Sequence, residues 1–156
     1  MKEVHIWSDG ACSGNPGEGG YSAAMMISND TALYASGYEE YTTNNRMELM
    51  GFLIAVEMAK KDPDFRSTRW IIHTDSKYIS NSLELGWLNN WIKKGIISKK
   101  KNPDLWILIS RSLKDALNIH VEWCKGHSGI QGNELVNELA RAALVNKKSS
   151  VGYIRI

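Results

Sequence analysis

Val4-His5-Ile6-Trp7-Ser8-Asp9 runs directly into Gly10-Ala11-Cys12-Ser13-Gly14-Asn15-Pro16-Gly17. An apolar run that ends in an acid and is closed by a glycine-rich turn reads as a strand, over about residues 3–9, feeding a loop. Two further strand-like runs follow, at about 20–28 and about 32–40. The spacing then predicts a helix from about 43 to 60, with Met47, Met50, Ile54 and Met58 on one face. Lys60 and Lys61 close it, and Pro63 cannot continue it. A fourth strand, about 69–74, leads into a helix near Ser76. A short helix is expected around Trp87–Lys94, and Pro103 opens another of about four turns. A fifth strand fits Ile119–Cys124, and a last helix spans about 131–145. This order predicts an α/β fold, a five-stranded mixed sheet flanked by helices, in a single domain over residues 1–156. The strand–helix–strand connections require parallel neighbours.

The bulk properties narrow the classes. The chain has 156 residues, 43% apolar and 23% charged, which suits one packed core and excludes global disorder. Its net charge is +2, but residues 86–101 hold Lys93, Lys94, Lys99, Lys100 and Lys101 without an acid. A +5 segment on an otherwise mildly acidic body points to a polyanion partner. Two cysteines, Cys12 and Cys124, make no secreted disulfide framework. The chain opens on a strand without a charged and apolar leader, and no apolar run approaches the roughly 20 residues of a membrane span. A soluble cytoplasmic protein without membrane contact is the expectation.

Three acids stand where chemistry has use for them. Asp9 and Asp75 each end a strand-like run, the second being Trp70-Ile71-Ile72-His73-Thr74-Asp75. Glu48 lies within Thr42-Thr43-Asn44-Asn45-Arg46-Met47-Glu48-Leu49-Met50, which reads as a helix start. Asp is common at strand-end turns, and Asp75 or Ser76 also suits a helix cap. Acids at strand ends with another on a covering helix can nevertheless converge and bind hard divalent cations. That is the outline of a metal-dependent phosphodiesterase.

Five stretches resemble the type 1 ribonuclease H family in order and spacing. They are residues 8–17, residues 42–50, Thr74-Asp75-Ser76, Lys125-Gly126-His127-Ser128-Gly129 and Asn137-Glu138-Leu139-Ala140-Arg141. The resemblance covers roughly residues 3–146 and implies a ribonuclease H-like fold with a five-stranded mixed sheet, the first three strands antiparallel. It implies endonucleolytic hydrolysis of the RNA strand of RNA–DNA hybrids, leaving 3′-hydroxyl and 5′-phosphate ends. Asp9, Glu48 and Asp75 would hold two Mg²⁺ ions, with Mn²⁺ as a substitute. The family supplies a fourth carboxylate from the last helix, where this chain has Asn137. An amide oxygen still ligates Mg²⁺ or Mn²⁺ but carries no charge, so weaker metal binding is expected. The alternative is a hybrid-binding module impaired by Asn137. Glu134, one turn back, is a candidate substitute.

His127 sits between Gly126 and Gly129, and the resemblance gives it a supporting role in proton transfer or product release. His120, Cys124 and His127 have a ligand-like spacing, but a zinc site wants a fourth ligand or an open position. Trp87 and Trp91 with the five lysines match the basic protrusion of bacterial members, expected on the DNA strand. By the same resemblance Cys12, Asn15, Thr43, Asn44 and Asn45 contact the hybrid minor groove, where the 2′-hydroxyl marks RNA. Lys77 stands where the family often has Gln; it can reach a phosphate but cannot accept a hydrogen bond. The protein is expected to act as a monomer.

Overall fold

The computed structural model describes all residues, 1–156. Its strands are β1 (Lys2–Ser13), β2 (Gly17–Met26), β3 (Thr31–Thr42), β4 (Thr68–Thr74), β5 (Ile119–Trp123) and β6 (Ser150–Arg155). The helices are α1 (Asn44–Lys61), α2 (Lys77–Glu84), α3 (Trp87–Lys93), α4 (Pro103–Leu113) and α5 (Gln131–Asn146). The strands form one sheet in the order β5-β4-β1-β2-β3-β6. Strands β1, β2 and β3 pair antiparallel, while β4 runs parallel to both β1 and β5.

The sheet has six strands, where five were expected. Strand β6 adds antiparallel to β3 from Thr31↔Arg155 to Ser36↔Ser150. Its hydrophobicity does not alternate with its burial: Val151 and Tyr153 are exposed, and Gly152 and Ile154 face inward. The pairing with β3, rather than an amphipathic pattern, makes this segment a strand. The helix opened by Pro103 is also shorter than expected, because the chain leaves the helix at Lys114 and Asp115 takes a positive φ.

Helices cover both faces of the sheet. Ile6 joins the core with Leu49, Phe52, Trp70, Ile72, Trp106 and Ile109, beneath α1 and α4. Trp7, the next residue, points to the opposite face and packs with Leu135 and Val136 of α5. On that face Trp7 stacks on His73 at 3.9 Å between centroids, and His5 hydrogen-bonds His73 at 2.7 Å. Burial holds the His73 imidazole down to about 4, so it stays neutral there. Beneath α1, Trp91 and Trp106 meet edge-on at 5.5 Å, with Tyr78 edge-on to Trp106.

Candidate active site

The site forms where two parallel strands part. The β1–β4 pairing ends at Trp7↔His73, and Asp9 and Asp75 each lie two residues beyond it. Equal offsets from a paired position put both carboxylates on one face, outside the carboxyl end of the parallel pair. Glu48 arrives from the second turn of α1, which Thr43 caps by accepting the Arg46 N–H at 3.2 Å. Helix and strand meet closely: a Cβ on Gly10 would lie 2.3 Å from the Met47 carbonyl carbon. Any side chain at position 10 would lift Glu48 away from Asp9.

Carboxylate oxygens of Asp9, Glu48 and Asp75 come within 4.8 Å of one another. None of the three is ion-paired to a basic side chain. Burial and the Asp75 charge raise Asp9 to about 6, against the pull of the Gly10 N–H and the Asn137 amide. Glu48 rises to about 8, through burial first and then Asp75 and Asp9. Burial raises Asp75, and Asn133 and His127 oppose it. Three crowded acids, each with its pKa raised and none with an internal counter-ion, fit a divalent cation bound through oxygen.

A pH test follows from these shifts. Glu48 has a folded value near 8 against 4.5 for the free carboxyl, so its contribution to stability is complete below about 4.5 and lost as pH rises through 8. Glu48→Gln is expected to raise the melting temperature of the metal-free protein by roughly 3–8 °C at pH 8 and by little at pH 5. Thermal melts across that range, parent against variant, measure the difference.

Asn137, on α5, donates its Nδ2–H to Asp9 Oδ2 at 3.0 Å. Glu134 is not among the clustered acids, and neither are His120 and Cys124. The chain therefore assembles neither the Glu134 substitution nor the zinc site. His127 is exposed, with φ 55, and its charge acts on both Asp9 and Asp75.

The turn and the start of α1 come together beside the acids, since Asn15 Oδ1 accepts the Asn44 N–H at 3.0 Å. Asn44 is exposed, Cys12 and Asn45 are half-buried, and Thr43 uses its hydroxyl as the cap. Lys93, Lys94, Lys99 and Lys101 are exposed, and Trp87 is 39% exposed. Trp91 departs from expectation: it is 7% exposed and packed among core aromatics, so it supports the basic segment from beneath and offers no face to a base. Lys100 lies over its ring at 5.1 Å.

Three contributors escaped the sequence reading. Trp123 donates its indole N–H to the Asp75 carbonyl at 3.0 Å and carries Lys77 over its ring at 4.7 Å. Arg46 grips Asp104 at 2.7 and 3.0 Å and Asn102 at 3.2 Å, tying the exit of the basic segment to the helix that bears Glu48. Asn133 lies behind the His127 loop.

Unneutralised acids gathered at paired strand ends, in a chain that also carries a basic segment, fit a metal-dependent hydrolase of nucleic-acid phosphodiesters. The RNase H family model matches residues 1–145. Ribonuclease H of Enterobacter sp. (strain 638) is 43% identical over 160 residues, covering 97% of this chain and 96% of its own. Ribonuclease H of Desulforamulus reducens is 38% identical over 147 residues, covering 92% and 88%. Among solved structures, LC9-RNase H1, a type 1 RNase H with the type 2 active-site motif, superposes with TM-score 0.78 at 26% identity, covering all of this chain and 78% of that one. LC11-RNase H1 in complex with an RNA/DNA hybrid shares the fold, with TM-score 0.70 at 19% identity, covering 92% and 98%. The chain belongs to the ribonuclease H family, and its activity is the metal-dependent endonucleolytic hydrolysis of RNA in RNA–DNA hybrids.

Proposed function

We propose that Asp9, Glu48, Asp75 and the Asn137 amide oxygen hold two Mg²⁺ ions, or Mn²⁺ in their place, at the scissile phosphate. The observation that carries this reading is the convergence of three un-ion-paired carboxylates within 4.8 Å at the parting of β1 and β4. The ions supply Lewis acidity toward the phosphate and lower the pKa of an attacking water. The protein places that chemistry. Asp9, the most buried of the three acids, would hold the ions together with Glu48 and Asp75. Asn137 stands at the position of the family's fourth carboxylate and contributes no charge there, so the metal requirement is raised. His127, in its exposed loop, accepts or delivers a proton at the water side, and the products carry 5′-phosphate and 3′-hydroxyl ends.

Substrate contacts follow the same surface. The Cys12–Asn15 turn, Thr43, Asn44 and Asn45 border the acids and face the hybrid minor groove. The Asn15–Asn44 bond keeps turn and helix in register for that contact. Lys77, held over Trp123, meets a phosphate. Lys93, Lys94, Lys99, Lys100 and Lys101, with Trp87 beside them, follow the DNA backbone. We further propose that the enzyme works as a monomer in the cytoplasm, in keeping with its two unpaired cysteines.

The deciding experiment is cleavage of an end-labelled RNA strand in an RNA–DNA hybrid, an RNA duplex and a DNA duplex, with Mg²⁺, Mn²⁺ or chelator. Internal cuts confined to the hybrid, dependent on metal and leaving 3′-hydroxyl ends, support the reading. Equal cutting of the RNA duplex contradicts it. Replacing the five lysines by Ala is expected to raise KM for the hybrid at least about tenfold in ~0.1 M salt and to flatten its salt dependence, with kcat within about twofold. Steady-state rates at several salt concentrations check this.

A further inference from the structure

Asn133 is a polar side chain with little reason to be where it is, unless it serves its neighbours. It lies in the first turn of α5 and is 2% exposed. Burying an amide costs free energy unless both of its ends find partners. Its Oδ1 accepts the backbone N–H of His127 at 3.3 Å. Its Nδ2 is buried without an acceptor in full hydrogen-bond geometry. Asn133 is the foremost influence that lowers the Asp75 pKa against burial, and the Asp75 carboxylate lies against Gly126 of the loop that Asn133 holds. The amide is no helix cap, since Ile130 occupies the cap position and makes no side-chain bond there.

The loop it holds needs holding. His127 has φ 55, in the left-handed region that disfavours a residue with a side chain. Ser128 closes the turn by donating its hydroxyl to the Lys125 carbonyl at 2.7 Å. On the inner side Gly126 lies against Asp75: a Cβ there would come 2.7 Å from Asp75 Oδ2. Loop and carboxylate are thus in contact, and a single buried amide holds the loop with an N–H to spare.

We propose that Asn133 is a positioning residue that couples the His127 loop to Asp75. Its carbonyl oxygen fixes the loop backbone, which sets where the imidazole stands. Its N–H turns the Asp75 carboxylate, leaving the other oxygen free for a cation. The inference rests on the reading above, in which Asp75 is a metal ligand and His127 transfers a proton, and it adds that the two are aligned by one side chain.

The test pairs two measurements. In a double-mutant cycle on hybrid cleavage, Asn133→Ala is expected to lower kcat about 10- to 100-fold, as removal of outer-sphere partners does, with KM little changed. In a His127→Ala background the same substitution is expected to cost distinctly less. By calorimetry without nucleic acid, Asn133→Ala is expected to bind Mn²⁺ about tenfold more weakly than the parent. Asn133→Ser, which keeps a small polar group in the buried site, replaces Ala if that variant melts below the assay temperature. Equal losses in both backgrounds overturn the coupling, and an unchanged Mn²⁺ affinity overturns the Asp75 half; the proposal needs both results. A parent that binds Mn²⁺ but cleaves no hybrid defeats the function proposed above, and the calorimetric comparison still decides the role of Asn133.

Discussion

Asp9→Asn is expected to cleave RNA–DNA hybrid about 100- to 1,000-fold more slowly than the parent at saturating Mg²⁺ or Mn²⁺, the order lost when one preorganised electrostatic group is removed from an active site. Asp9 is 4% exposed and lies within 4.8 Å of both other acids. The amide has the same shape, so packing against α1 and α5 is retained. The charge that helped to raise Glu48 is gone, and a carboxyl already pushed up to about 6 no longer has to ionise in the interior. The variant is therefore expected to melt higher than the metal-free parent at pH 8. Single-turnover cleavage and a thermal melt on the same preparation separate loss of chemistry from loss of fold. An inactive variant that is also less stable would point to unfolding as the cause.

Asn137→Asp is expected to have two large effects of opposite sign. In the metal-free protein it replaces a donor at 3.0 Å from Asp9 Oδ2 with a fourth carboxylate. A hydrogen bond to a charged group is worth about 1.5–3 kcal/mol, so a fall in melting temperature of roughly 4–10 °C is expected in chelator. With metal the sign reverses, because ligand charge sets divalent affinity. The Mg²⁺ concentration for half-maximal cleavage is expected to fall about tenfold. Melts in chelator and rate curves against Mg²⁺ read the two effects on one variant. An Asn137→Asp protein with the parent's metal requirement would remove Asn137 from the metal site.

The acids were legible because the sequence marks strand ends. Asp9 and Asp75 each close an apolar run, and the parallel pairing of β1 with β4 brings those ends together. Glu48 was legible from its polar surroundings at a helix start. The residues that hold the acids were not. Trp123 reads as one more apolar residue of a strand, and its bond to the Asp75 carbonyl spans 48 positions. Asn133 reads as the polar face of a helix until the His127 loop is folded over it. Trp91 misled for the converse reason: the five lysines that follow it suggest a surface, while its ring turns inward to Trp106. Strand β6 was missed because it is short and leaves Val151 and Tyr153 facing solvent, so its pairing with β3, not a buried apolar face, makes it a strand. Local pattern announces elements and chemistry; contacts between distant segments settle who supports whom.

The central claim is that the three acids hold a cation directly on the scissile phosphate. The most direct measurement is cleavage of a hybrid whose RNA carries sulfur in place of one non-bridging oxygen at a single cleavage site, in Mg²⁺ and in Mn²⁺. Mn²⁺ tolerates a sulfur ligand better than Mg²⁺. Direct ligation predicts that one of the two stereoisomers is cut much more slowly than the oxygen substrate in Mg²⁺ and recovers in Mn²⁺. The same slowing in both metals, for both isomers, would contradict it.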